Sequence, residues 1–504
     1  MNIAMLLEMA AEGMPERIAV GTRADGISYA RLLDRSRRGA AFVRATDAER
    51  VGLVGTNSAT VPLLLYASAM AGVPFTAVNY RLADERLRSV VERVAPALVV
   101  ADAATRARIQ GVRGLECLAQ HELATRLEHA EAAGDLQVDP DAVAIWLFTS
   151  GTTGEPKAAL LRHRHLVSYV LSTVEFRSAG DDEATLVSVP PYHIAGMAAI
   201  LSSTYAGRRI VYLPQFDPHG WVRLAAEEAV THAMVVPTML GRLLDAMEQL
   251  DSTLPSLRHL SYGGGRMPVA VVERAMALLP HVGFVNAYGL TEASSTVAVL
   301  GPEDHRAAYG SDDPAVRVRL GSVGRPLPTL ELEIRGPFGA ALPAGETGEI
   351  HVRGEQIAGE YLDRSVLTRD GWFPTNDSGH LDEAGFLYVD GRLDDVIVRG
   401  GENMSPGEIE AVLLQHPAVA DAGVAGVPDD EWGEVAAAAV VFEPGASTTE
   451  AELQAWVRDR LRSSRTPVVV DVRAALPYNE TGKLLRRVLK DQLGRVATAK
   501  LTPT

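Results

Sequence analysis

The sequence predicts an α/β protein: a large N-terminal domain of packed mixed and parallel sheets with helices, a small barrel-like β region, and a small α+β domain at the C-terminus. Three observations predict it. Up to about residue 320, apolar runs of strand length alternate with stretches whose apolar residues recur at helical spacing, the signature of parallel sheets covered by helices. From residue 321 the texture changes: "TLELEIRG", "GEIHVRG" and "GFLYVDGR" alternate apolar and polar residues between glycine-rich turns, as antiparallel strands do. Beyond Gly391 the segments "EIEAVLLQHPAV", "EVAAAAVVF" and "AELQAWVRDRL" make a compact α+β pattern. The expected domains are residues 1–391 and 392–504.

Each element of that prediction has a local reason. "SYARLLDRSRRGAAFVRA" repeats apolar residues at helical spacing, "RVGLVG" is a short buried-strand type, and "TVPLLLYASAMAG" is helical again. "PFTAVN", "RLADERLRSVVERV" and "ALVVAD" read as strand, helix and strand. The alternation continues through "TLVSVP", "RIVYL", "WVRLAAEEAV", "HAMVVP" and "MLGRLLDAMEQL". No fixed-period repeat interrupts it.

Composition narrows the function classes. At 504 residues and 47% hydrophobic content, the chain exceeds what one core usually organises. Its 64 acidic against 48 basic residues give a net charge of −16, which repels nucleic-acid backbones and anionic membranes. Cys117 is the single cysteine, so no disulfide forms within the chain, which suits a reducing compartment. No basic partner adjoins Cys117, so we expect a packed or surface thiol rather than a nucleophile. The N-terminus lacks the features of a signal peptide, and the most apolar run is broken by Gly72 and Pro74. A cytoplasmic protein with no integral membrane segment is the expectation; oligomeric state is not legible.

The strand "VAIWLF" runs into "TSGTTGEPK", residues 149–157. Gly151 and Gly154 let backbone approach a ligand closely. Thr149, Ser150, Thr152 and Thr153 add hydroxyl donors, and Lys157 adds a positive charge, so the stretch describes a phosphate cradle. It is not a Walker A loop: Glu155 and Pro156 separate Gly154 from Lys157, and Ala158 stands where that motif carries a metal-binding hydroxyl.

This loop resembles the phosphate-binding signature of the adenylate-forming superfamily of acyl- and aryl-CoA synthetases, peptide-synthetase adenylation domains and luciferases. Further motifs in the same order extend the resemblance over nearly the whole chain. "NAYGLTEAS", 286–294, is similar to the family's YGxTE element, implying Tyr288 on the adenine face, Thr291 at the α-phosphate and Glu292 as holder of Mg²⁺. Read alone, Thr291 would cap a helix. "SYGGGRMP", 261–268, resembles the glycine turn that borders adenine and the acyl group, with Gly263, Gly264 and Gly265 packed flat. Arg266 departs from the small or prolyl residue usual there, and points either to solvent or toward an acidic substrate tail.

"GWFPTNDSGHLDEAGFLYVDGR", 371–392, resembles the ribose-binding segment. The resemblance implies that Asp377 accepts from both ribose hydroxyls and that Arg392 contacts ribose or phosphates. The usual Thr-Gly-Asp reads Thr375-Asn376-Asp377, and because Asn tolerates left-handed backbone the turn should survive. In "GRLDDVIVRGGENMSPGEIE", 391–410, Asp394 corresponds to the hinge of a mobile small domain, and Gly400 and Gly401 to a loop lining the pantetheine tunnel. "SPGEIE" is also simply a helix start, with Ser405 as cap and Pro406 at the first position. "LPYNETGKLLRR", 476–487, places Lys483 where the family has the lysine that enters the site for the first half-reaction. On its own this Gly-Lys would be a solvated face.

His193 in "PPYHIAGM" is either structural or, as the resemblance implies, close to the acyl carboxylate. Met197, Thr204, Pro237 and Met239 fall in regions that line acyl pockets in the family, or are ordinary core. The implied reaction joins a small-molecule carboxylic acid to coenzyme A through an acyl-adenylate, using ATP and Mg²⁺. A fatty or aromatic acid is the expected substrate. The alternatives are a malonate-like dicarboxylate, or a carrier protein as acceptor.

Overall fold

Alternation of apolar strands with one-sided helices builds two large sheets in the N-terminal part of this computed structural model, which describes residues 1–134, 137–149, 156–400, 402–479 and 484–501. A six-stranded sheet runs in the order Leu115–Leu118, Ala97–Ala101, Arg50–Val54, Phe75–Ala77, Val143–Thr149, Lys157–Arg162. All its pairs are parallel except the last. The nine-stranded sheet is parallel from Ile18–Val20 through Arg209–Tyr212, Ala184–Val187, His232–Val235 and His259–Gly263 to Gly283–Leu290, and antiparallel at both edges.

The helices show why they form where they do. In Asp84–Val94 the buried residues are Leu87, Val90, Val91 and Val94, one face at three-four spacing, with Asp84 and Glu85 in the first turn where the helix dipole favours them. The helix Thr60–Ala71 is instead buried over nearly every residue and ends on Gly72 at φ +79°. It belongs to a core shared by both sheets, with Leu6, Leu65, Tyr66, Leu98, Ile145 and Met197 among its members.

The segment after residue 321 folds as the four antiparallel strands Glu331–Arg335, Gly348–Arg353, Phe373–Leu381 and Leu387–Arg392, in that order. This is the barrel-like region, and its hydrogen-bonded path is open. The C-terminal α+β unit has a five-stranded sheet centred on the long antiparallel pair Val419–Asp429 and Gly433–Phe442. Apolar residues cover both of its faces, with Ile409, Leu413 and Leu453 in one core and Leu476, Leu489 and Leu493 in the other. Among the described residues, no helix is long and apolar enough to cross a membrane.

Candidate active site

The phosphate-cradle loop leaves the strand Val143–Thr149 and returns as Lys157–Arg162, and Thr149 pairs antiparallel with Lys157 across its mouth. A strand therefore follows the loop, where a Walker A motif has a helix. The Arg93 guanidinium donates to the Pro156 carbonyl at 2.6 Å and lies over the Phe148 ring. Ser150, Gly151, Thr152, Thr153 and Gly154 lie outside the described residues, as do Gly401 and Lys483.

The returning strand ties this loop to the next motif. Ala159 bridges Tyr361, Leu160 N–H donates to Glu360 O at 2.9 Å, and Arg162 grips the Glu360 carboxylate at 2.9 and 2.7 Å. The Tyr361 hydroxyl then donates to Glu292 Oε1. Burial and the neighbouring carboxylate push the Tyr361 phenol up, so it stays a donor. Glu292 follows Thr291 in a short 3₁₀ turn, and its carbonyl accepts from Ala358 N and Gly359 N at 2.8 and 3.0 Å.

Thr291 directly follows the strand Gly283–Leu290, which carries Tyr288. Tyr288 hydroxyl donates to Asp377 Oδ2 at 2.6 Å, and Arg392 Nε lies 3.2 Å from Asp377 Oδ1. Arg392 also donates to Thr375 O at 2.8 Å. Asp377 is 8% exposed. Burial first, then Asp377, raises the Tyr288 pKa far above the usual phenol value. Asn376 adopts φ +60°, so the turn survives the change from glycine as expected.

Gly263 ends the strand beside Tyr288's strand, and a Cβ there would collide with the Ala287 carbonyl oxygen. Gly264 follows at φ +80°. Arg266 takes neither expected direction: its guanidinium donates to the Gly407 carbonyl of the small unit, with the Asp390 and Glu410 carboxylates nearby. Ser405 Oγ makes a parallel tie, donating to Asp390 O at 2.8 Å. Ser405 therefore bonds across the units and makes no side-chain cap on the helix Pro406–Leu413.

With this geometry in view, a family model described as AMP-binding enzyme matches residues 7–362, and one described as AMP-binding enzyme C-terminal domain matches residues 408–483. The chain belongs to the AMP-binding enzyme family. It is an ATP-dependent adenylate-forming ligase acting on a carboxylic acid. It is 32% identical to a feruloyl-CoA synthase of an Amycolatopsis species, over 95% of this chain and 96% of that one. It is also 32% identical to a 2-succinylbenzoate–CoA ligase of Bacillus licheniformis, over 96% and 98%. Among solved structures, ATP-bound MatB of Rhodopseudomonas palustris matches at 28% identity with a TM-score of 0.87, over 98% of this chain and all of that one.

In this AMP-binding enzyme, His193 precedes the helix Ile194–Ala206, its ring 4.8 Å from that of Tyr192. The residues just before it, Pro190 and Pro191, border a cleft that Asn57, Arg81, Met239 and Arg242 also line. Arg81 lies over the Tyr80 ring and Arg242 over Phe216. Met239 thus borders a cleft, whereas Met197 and Thr204 are 0% and 1% exposed. Those two are core, as helical residues facing a sheet become. Pro237 is buried at the start of the helix Pro237–Gln249.

Cys117 is half-buried, and contrary to expectation a basic side chain, Arg106, adjoins it; burial still outweighs that charge and raises the thiol pKa, which fits a packed thiol. Gly400 sits at φ +56° with its N–H donated to Trp432 O at 2.8 Å, and a Cβ there would come 2.9 Å from the Trp432 ring. On either side of the undescribed residues around Lys483, Tyr478 and Leu484 form a bridge. Asp394 Oδ2 accepts from Asn376 Nδ2 at 2.8 Å. Sequence reasoning missed Tyr361, Arg81 and Arg242. Tyr361 and Arg81 lie outside the long helices and strands, where no periodicity singles them out, and Arg242 is an exposed residue of the helix Pro237–Gln249, where an arginine is ordinary.

Proposed function

We propose that this ligase passes its acyl group to coenzyme A, with residues 1–391 holding ATP and acid and residues 392–504 turning about Asp394 between two half-reactions. The continuous chain of contacts from the phosphate-loop strand through Tyr361 and Glu292 to Tyr288, Asp377 and Arg392 carries this reading, because it sets phosphate and ribose donors along one path. In the first half-reaction the acid's carboxylate attacks the α-phosphorus of ATP and pyrophosphate leaves. Thr149 to Gly154 and Lys157 hold the β- and γ-phosphates, Asp377 and Arg392 the ribose, and Gly263 to Gly265 with Tyr288 flank adenine. Lys483 and Thr291 stabilise charge at the α-phosphate, and His193 stands at the acid's carboxylate.

Glu292 is the fitting holder of Mg²⁺. Its hard carboxylate has one oxygen fixed by Tyr361, and no group of three or more His, Cys, Asp or Glu forms a separate metal cage among the described residues. The cation, when bound, neutralises phosphate charge. In the second half-reaction the thiol attacks the acyl carbon of the adenylate and AMP leaves, with Gly400 and Gly401 lining the thiol's path. The arginine-bearing cleft bordered by Pro190 and Pro191 suits the phosphates of such an acceptor. The likeness to an ATP-bound relative over 98% of the chain supports assigning the present domain orientation to adenylation. The hairpin carrying Gly400 agrees: Glu402 pairs with Arg465, and Arg399 donates to Ser464 O at 2.8 Å, all within the small unit.

For the acid, the relatives favour the dicarboxylate alternative, since 2-succinylbenzoate carries two carboxylates; ferulate, an aromatic acid, stays within the main expectation. Arg266 is not the anchor of a second carboxylate, since it reaches the small unit. A panel of aromatic, dicarboxylic and fatty acids, followed by pyrophosphate release with coenzyme A present and mass spectrometry of the thioester, tests the proposal. An aromatic or dicarboxylic acid should turn over fastest. Adenylate accumulating without thioester would remove coenzyme A as acceptor.

A further inference from the structure

We infer that Asn376 is a positioning residue that acts on the hinge: its side-chain amide restrains Asp394 and so holds the small domain in the adenylating orientation. This rests on the domain alternation proposed above. Two consecutive carboxylates of the turn Leu393–Asp395 are held by opposite bodies. Asp394 accepts from Asn376 of the large domain at 2.8 Å, while Asp395 Oδ2 lies 3.2 Å from Arg486 Nε of the small one. Arg486 is firmly set, with its other nitrogens on Glu410 at 3.0 Å and on the Val424 carbonyl at 2.7 Å. It begins the helix that follows the loop of Lys483, so Asp395 travels with the small domain.

Turning that domain changes the backbone dihedrals of Asp394, and the bond to Asn376 opposes the change. Asn376 is itself a fixed anchor. Its backbone is left-handed at φ +60°, and its N–H donates to Glu349 Oε1 at 3.1 Å. It also immediately precedes Asp377, so the ribose carboxylate and the hinge tether lie on adjacent residues of one strand. The glycine of the pattern that this segment resembles has no side chain to make the tether.

Two variants test this in the full-length enzyme. Asn376→Gly keeps the left-handed backbone without cost, and Asn376→Asp keeps the side-chain shape but replaces the donor with a carboxylate facing Asp394. The rates of pyrophosphate exchange and of thioester formation from supplied acyl-adenylate are measured separately. In both variants the second rate divided by the first should rise at least about threefold. Loss of packing alone would lower both rates together. Independently of activity, hydrogen–deuterium exchange of residues 393–398 in the nucleotide-free protein should quicken severalfold. Unchanged exchange overturns the inference, and so does quicker exchange with an unchanged ratio. A wild type that releases no pyrophosphate with any acid would sink the functional reading instead, and the exchange measurement would still decide the tether.

Discussion

Asp377 is buried, and the Tyr288 hydroxyl and the Arg392 guanidinium are among the groups that meet its carboxylate. Bonds to charged acceptors are worth about 1.5–3 kcal/mol, more than bonds between neutral groups. Tyr288→Phe deletes one of them without leaving an unsatisfied donor, and Asp377 keeps Arg392. The KM for ATP should rise about tenfold with kcat changed much less, because the ribose contact is made in ground and transition states alike. Initial rates against ATP concentration check this, and a fall in kcat with constant KM would place Tyr288 in the chemistry instead. At this scale the sequence was most legible where a residue's job is backbone conformation: Gly263 leaves room for the Ala287 carbonyl, and the left-handed turn at Asn376 is present as expected. It was least legible for direction. Arg266 had two candidate destinations and took a third, because a flexible side chain's target depends on which body folds against it.

The proposed function assigns one half-reaction each to two segments of the small domain, the hairpin with Gly400 and the segment between Tyr478 and Leu484, which form a bridge. If they serve different half-reactions, substitutions in them should separate. Lys483→Ala should cripple adenylation and leave thioester formation from supplied adenylate largely intact, whereas Gly401→Leu should do the reverse. Equal damage to both steps from both variants would rule out alternation. Periodicity located the strands and helices that frame these loops, yet it could not tell pocket from core. Met197 and Thr204 lie on a helix that is apolar nearly all round, where spacing carries no information about which face meets a ligand.

Taken whole, the molecule buries several histidines in its large domain. Burial first, then the charged N-terminus, holds His163 down to about 4. Burial with Arg164 and Arg162 does the same to His165, and burial with Arg208 takes His232 to about 3. Each is neutral in the folded chain at pH values where the unfolded chain, with pKa near 6.5, already binds a proton. Their contribution is complete above about pH 6.5 and is lost as pH falls toward 4. By pH 5.5 each should cost on the order of 1 kcal/mol. His380 runs the other way, raised by its bond to Asp390, and offsets only part of this. Denaturant midpoints at pH 7.5 and 5.5 should therefore show a clear drop at the lower pH, and equal midpoints would mean these imidazoles are solvated.

Because the phosphate loop returns as a strand, no helix N-terminus adjoins its far end to clamp an anion permanently. On the function proposed above, the grip on the outgoing diphosphate would rest on the loop's hydroxyls, the Lys157 ammonium and the accompanying cation, with no helix dipole behind them. A hold assembled from separate side chains and a cation that leaves with the product would favour release over retention.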